Sequence, residues 1–234
     1  MGRGNNLKTE TQNSRRAVLW DMDGTIVDSL PCHKKAWQAT FARRGKVFTD
    51  EDFKWANGRK NEEIIPHFVG KKMSIEEVNV IADEKEATFR DFVKDNIQAL
   101  PGVVELIKAL GKAKYELAIV SSTPKENIEL ISKTLGINKY FSLFINGDDV
   151  KEGKPSPQGF LLGAQKLGVE SKNCVVMEDA VVGVRAAKRA GMYCIAVANT
   201  CPREDISEAD VVVDSLEEIN VKTIEELLSS PIKK

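Results

Sequence analysis

Asp21-Met22-Asp23-Gly24-Thr25 follows the apolar run Ala17-Val18-Leu19-Trp20, which has the length of a buried strand. Two carboxylates, one residue apart, therefore stand where a strand gives way to a loop. Alternation along an extended chain sends Asp21 and Asp23 to the same side. Like charges held that close do not both ionise freely unless a cation or a bound proton relieves them. Gly24 lets the chain turn sharply and approach a ligand closely, and Thr25 adds a hydroxyl. An Asp to attack, an Asp to move a proton and a cation between them would suit phosphoryl transfer. An Asp-rich turn after a strand is the plainer reading of these five residues, so the rest of the chain must decide.

Downstream of residue 100, short apolar runs recur: Leu117-Ala118-Ile119-Val120, Leu143-Phe144-Ile145, Cys174-Val175-Val176-Met177, Cys194-Ile195-Ala196-Val197 and Val211-Val212-Val213. Helical spacing separates them over 103–113, 124–135, 157–167 and 181–190, and a last helix is expected near 221–228. Wholly apolar strands alternating with helices predict an α/β fold: a Rossmann-like parallel sheet with helices on both faces and right-handed crossovers. Between 31 and 99 no strand alternation is found. Helices are expected over 33–44, from Thr49 through Phe53 and Trp55 to Asn57-Gly58, and around 62–68. Ser74 with Glu77 forms a capping box that opens a long helix to about Ile97. The expected organisation is a disordered lead-in at 1–15, a discontinuous α/β core at 16–30 and 100–234, and an inserted all-helical cap at 31–99.

The chain has 234 residues, 42% of them apolar, with 34 Lys and Arg against 35 Asp and Glu. Such a chain can bury a substantial core. Its near-neutral balance offers no basic field for nucleic acid and no basic amphipathic stretch for a membrane surface. No apolar segment approaches the roughly 18 residues that span a bilayer. Cys32, Cys174, Cys194 and Cys201 are scattered without zinc-type spacing. Reduced thiols and a cytoplasmic location are expected.

Ligands of open parallel sheets gather beyond the carboxyl ends of the strands. After 117–120 stand Ser121, Ser122 and Thr123, with Pro124 opening a helix: an anion site, or ordinary capping. After 174–177 stand Glu178 and Asp179. Between them lies Gly153-Lys154-Pro155, where the proline restrains Lys154 toward extended geometry. Lys154 is then either a held ammonium or a surface lysine. Mg²⁺ wants about six oxygen ligands and usually takes one or two carboxylates plus phosphate and water. Asp21, Asp179 and the Asp23 carbonyl would meet that demand.

The order Asp21-x-Asp23-Gly24-Thr25, Ser121, Lys154-Pro155, Glu178-Asp179 resembles the haloacid dehalogenase-like superfamily over about 16–220. The run from Met177 through Gly183 to Gly191 is similar to its β-phosphoglucomutase-like branch. The resemblance implies that Asp21 is the nucleophile and forms an aspartyl-phosphate. It implies that Asp23 gives and takes the proton, and that Ser121 and Lys154 hold the phosphoryl oxygens with Gly24, Thr25 and Ser122. Mg²⁺ would be held by Asp21, Asp23 and Asp179, with Glu178 in direct or water-mediated support. Asp23 argues against dehalogenation, because halide departure needs no acid.

The cap should close over the substrate and expel water, so its residues choose the leaving group. His33, Trp37 and Lys85 match the mutase pattern; Lys85 is the only charge on the stripe Ile75, Val78, Ala82, Phe89, Phe92. It either snorkels to solvent or contacts an anion or sugar hydroxyl. In Gly58-Arg59-Lys60-Asn61 the position of the mutase's phosphate-gripping arginine is taken by Asn61. An Mg²⁺-dependent phosphatase for a small sugar or polyol phosphate is therefore expected ahead of a mutase or pyrophosphatase, and ahead of a non-catalytic binding protein on the same scaffold. The expected partner is a small phosphorylated metabolite, with no nucleic acid or membrane, and a monomer is favoured.

Overall fold

The computed structural model describes residues 15–56, 59 and 61–231. The lead-in before residue 15, together with Asn57, Gly58 and Lys60, lies outside the described residues. The elements run β1 (Ala17–Trp20), α1 (Leu30–Ala42), α2 (Asp50–Ala56), α3 (Asn61–Val69), α4 (Ile75–Asn96), α5 (Val103–Lys112), β2 (Glu116–Val120), α6 (Lys125–Thr134), β3 (Leu143–Ile145), α7 (Gln158–Leu167), β4 (Cys174–Glu178), α8 (Val181–Arg189), β5 (Tyr193–Val197), β6 (Val211–Val213) and α9 (Val221–Leu228). They fall into two compact units: Ser29–Ile97, and the chain up to Asp28 together with the chain from Gln98 onward.

The larger unit is a six-stranded parallel sheet in the order β3-β2-β1-β4-β5-β6. Every residue of β1, β4 and β5 is buried, and partial exposure appears at the edge strands β3 and β6. Strands covered on both faces need apolar side chains at every position, which is why these runs do not alternate. Leu19 stands opposite Ala118 and Val176 and packs with Phe160 and Val184 in the core. Gly163 lets α7 lie close to the sheet, since a Cβ there would be 2.8 Å from a Leu19 methyl. The strand order reverses between β1 and β4, so the segment after β1 emerges where an open sheet presents its crevice.

Just past the first turn the chain leaves this unit, and it returns beside its point of departure. Val27 and Ala99 form an antiparallel bridge, and the Leu100 N–H donates to the Ile26 carbonyl at 2.9 Å.

The helical unit is built on an aromatic cluster. Phe41 lies 5.3 Å from both Trp37 and Phe48, ring centre to ring centre, and Phe68 lies 4.9 Å from Phe48. The capping box is present: the Glu77 N–H donates to Ser74 Oγ at 3.2 Å, and the Ser74 N–H donates to Glu77 Oε2 at 2.9 Å. α1 starts at Leu30, three residues before the expected boundary. Pro31 is accepted there because the first turn needs no donor. It ends at Ala42, where the Lys46 N–H turns back to the Phe41 carbonyl at 3.0 Å and Gly45 takes a φ of +67°. Of the apolar stripe on α4, Ile75 is 49% exposed, whereas Lys85 is 4% exposed and joins the buried face. Lys85 therefore does not snorkel. No helix among the described residues is long and apolar enough to cross a membrane.

Cys174 and Cys194 sit inside the sheet with no exposure, and all four cysteines are free. Burial pushes the Cys174 thiol up to about 12 and the Cys194 thiol well above its ordinary value, so neither supplies thiolate near neutrality. In the native protein a disulfide reagent should modify half-exposed Cys201 within minutes, and Cys174 and Cys194 only after denaturation. Rapid native labelling of either strand cysteine, read by peptide mass mapping, would contradict this core.

Candidate active site

The turn after β1 is fixed by backbone bonds. The Asp21 N–H donates to the Met177 carbonyl at 2.9 Å, which carries the β1–β4 pairing one residue further. The Gly24 N–H closes on the Val27 carbonyl at 2.7 Å, and Met22, Ile26 and Val27 are buried beneath the turn. Gly24 has a φ of +89°, and a Cβ there would overlap the Asp179 carboxylate. Both facts require glycine at this position.

Lys154 is not a surface lysine. Its ammonium donates to Asp21 Oδ1 and, at 2.6 Å, to Glu178 Oε1, while it lies 5.1 Å from the centre of the Phe160 ring. The second Glu178 oxygen accepts the N–H groups of Asp179 at 2.9 Å and Ala180 at 3.0 Å, at the start of α8. A helix N-terminus suits an anion. Gly183 leaves the space this needs, since a Cβ there would fall on the Glu178 carboxylate. Burial raises Asp21 well above the usual carboxylate range; Lys154 opposes the rise, and Glu178, Asp179 and Asp23 add to it. Burial alone would lower the Lys154 ammonium, but Asp21 and Glu178 outweigh it and hold the lysine firmly charged.

Asp179 is fastened at both carboxylate oxygens. The Thr25 hydroxyl donates to Oδ1 at 2.9 Å, and the Thr200 hydroxyl donates to Oδ2. Burial and the neighbouring Glu178 push Asp179 up to about 7, while the two threonine hydroxyls and Lys154 pull the other way. Three buried carboxylates thus meet a single lysine among the described residues, an excess of negative charge that a divalent cation would relieve. Among the described residues no three His, Cys, Asp or Glu side chains stand as a ready-made cage. That suits Mg²⁺, which works with one or two carboxylates. Glu178 is tied to Lys154 and the α8 amides, and Asp21 and Asp179 are the side chains that would hold the ion.

Ser121 is buried, and its Oγ accepts the Thr123 N–H at 3.2 Å; Ser122 is exposed beside it. Asp23 is half-buried within the turn. Thr25 is fully buried, with its hydroxyl on Asp179. The helical unit brings His33, Trp37, Arg59, Asn61 and Lys85 together with Phe53 around a cavity of about 180 Å³. Gly58 lies outside the described residues. Lys85 reaches His33 Nδ1 at 2.8 Å and Glu86 at 2.7 Å, over the Trp37 ring at 5.3 Å. An ammonium can only donate, so Nδ1 is the acceptor. Arg59 stacks on Trp55 at 4.5 Å and pairs with Glu63 at 3.3 Å.

Sequence reading passed over Asn199 and Thr200, and named Gly183 only as part of the 177–191 run, with no role. The first two stand just past β5, after Ala198, so the strand-end rule that singled out Ser121 and Asp179 points to them as candidates. Gly183 carries no such signal, because only the placed Glu178 side chain shows what it must avoid.

The profile of the haloacid dehalogenase-like hydrolases matches residues 15–191. Hexitol phosphatase A of Escherichia coli is 35% identical over 207 residues, covering 88% of this chain and 94% of that protein. Fructose-1-phosphate phosphatase of the same organism is 32% identical over 77% of this chain and 95% of its own. The crystal structure of β-phosphoglucomutase from Clostridium difficile superposes with a TM-score of 0.79 at 27% identity, covering 92% of this chain and 97% of that one.

Removing the ammonium should leave two carboxylates buried and unpaired. Lys154→Met is expected to lose about 3–5 kcal/mol in denaturant unfolding at neutral pH. Gly183→Ala, which must displace Glu178, should lose at least about 2 kcal/mol. Native-like stability in both variants would mean that the acids are not held as described.

Proposed function

The chain belongs to the haloacid dehalogenase-like hydrolases, in their β-phosphoglucomutase-like branch, and from that premise we propose that it hydrolyses the phosphate monoester of a small sugar or polyol in the presence of Mg²⁺. The observation that carries this reading is the Lys154 ammonium shared between Asp21 and Glu178, beside a carboxylate, Asp179, tied to the same turn by Thr25. Asp21 attacks phosphorus and the bond to the leaving alcohol breaks, while Asp23 gives that alcohol its proton. Asp23 then takes a proton from the water that attacks the aspartyl-phosphate, which releases phosphate and restores Asp21. Ser121 and Lys154 steady the phosphoryl oxygens as charge moves. Asp21, Asp179 and the Asp23 carbonyl would hold Mg²⁺, whose charge would favour ionised Asp21 and offset the negative charge on the phosphoryl oxygens.

The choice of leaving alcohol is assigned to the cavity of the helical unit. A mutase must grip a second phosphate there, which calls for an uncommitted guanidinium or ammonium. Arg59 is engaged by Glu63 and the Trp55 carbonyl, Lys85 by Glu86 and His33, and Asn61 is neutral. As far as the described residues line it, such a cavity suits polar hydroxyls and an aromatic face better than a second dianion. The named activities of the hexitol and fructose-1-phosphate phosphatases agree with this preference. The four free thiols favour a reducing compartment, the cytoplasm.

Phosphate release from p-nitrophenyl phosphate should require Mg²⁺ and stop with EDTA. Asp21→Asn should lower it by about 10³-fold or more. Across a panel of phosphorylated metabolites, hexitol and ketose monophosphates should be the best substrates. With β-glucose 1-phosphate and a bisphosphate activator, phosphate release should outrun isomerisation; the reverse order would make the protein a mutase.

A further inference from the structure

The segment just beyond β5 touches both halves of the site. Asn199 Nδ2 donates to the Gly24 carbonyl at 3.1 Å, and the Thr200 hydroxyl donates to Asp179 Oδ2 and lies 3.2 Å from the Asp179 carbonyl. The Thr200 methyl packs where a side chain at Gly24 would be, 2.8 Å from the position of its Cβ. The segment itself is anchored, because the Ala198 N–H donates to the Val213 carbonyl at 2.8 Å and so extends the β5–β6 pairing. Asn199 and Thr200 are exposed. Burial of apolar surface therefore gives little reason for this residue pair, and what the two side chains do is hold polar atoms of the turn and of Asp179.

We propose that Asn199 and Thr200 form a clasp that positions Asp179 against the 21–25 turn, and that Thr200 thereby sets the affinity of the Mg²⁺ site. The proposal rests on the reading of Asp21 and Asp179 as the carboxylates that hold the ion. A carboxylate held by one hydrogen bond can swing about its Cβ–Cγ bond. With Thr25 on one oxygen and Thr200 on the other, the plane of the Asp179 carboxylate is fixed, and the free lone pairs keep one direction. Asn199 does the same for the turn, through the carbonyl of the glycine that its sharp φ depends on. Partners of this kind, one bond removed from a metal ligand, typically change metal affinity by about 10–100-fold when lost. Thr200 is accordingly a positioning residue and touches no reacting atom.

Titrating Mg²⁺ alone into the full chain by calorimetry tests this. Thr200→Val, which keeps the shape and removes the hydroxyl, should raise the dissociation constant about tenfold or more, and Thr200→Ser should restore it. The metal-free variant should stay folded, and kcat at saturating Mg²⁺ should change far less than the Mg²⁺ concentration needed for half-maximal rate. Asn199→Ala, which frees the turn but spares both threonines, should weaken Mg²⁺ in the same direction and decides the matter should Thr200→Val not fold. Native affinity in Thr200→Val, or in Asn199→Ala where that variant decides, overturns the clasp and leaves the hydrolytic reading standing. A native protein that hydrolyses no phosphate ester and binds no Mg²⁺ overturns both.

Discussion

Asp21, Glu178 and Asp179 are each almost wholly removed from water; one ammonium pairs with the first two, and two threonine hydroxyls hold the third. Burying ions costs several kcal/mol apiece unless each finds good partners. The surrounding backbone is arranged to that end. β4 delivers Glu178 to Lys154 on one side and to the amides opening α8 on the other, and Gly183 and Gly24 stay bare so that Glu178 and Asp179 have room. The arrangement still leaves an excess of negative charge. Burial and like charge raise Asp21 and Asp179 together, an excess that a divalent cation would relieve.

The sheet was legible because its physics is written locally. A strand covered on both faces must be apolar throughout, and the runs at 17–20, 117–120, 143–145, 174–177, 194–197 and 211–213 are short and uninterrupted, with helices between all but the last two. Ser121, Glu178 and Asp179 were singled out as the residues that follow such runs, whereas Asn199 and Thr200 were not. Lys154 was ambiguous, since a neighbouring proline tells how the backbone runs and not what the ammonium finds 133 residues away at Asp21. Lys85 was ambiguous in the same way. Its own helix shows a charge on an apolar stripe, but His33 and Trp37 of another helix decide that it is held inside. Sequence periodicity describes one element at a time, and these side chains are settled by two.

Helix ends were less legible than helix bodies. Ser74 and Glu77 announced their cap because both partners lie within one turn. The start of α1 was missed because Pro31 reads equally as a stop to what precedes it and as an accepted first-turn residue. The role of the 199–200 segment was hidden for a different reason. Its hydrogen bonds run to Gly24 and Asp179 and so become visible only once β5 is seated next to β4.

The meeting of Val27 with Ala99, and of Ile26 with Leu100, has a bearing on how such a molecule changes over generations. Because the two ends of the inserted segment are stitched to each other on the sheet's own side, the sheet does not depend on how long the insertion is. Lengthening or trimming an intervening stretch alters closure entropy only slowly, as the logarithm of its length. Helices can be exchanged there as a cassette while the catalytic strands keep their register. An insertion at this point can in this way change without the sheet having to relearn how to fold.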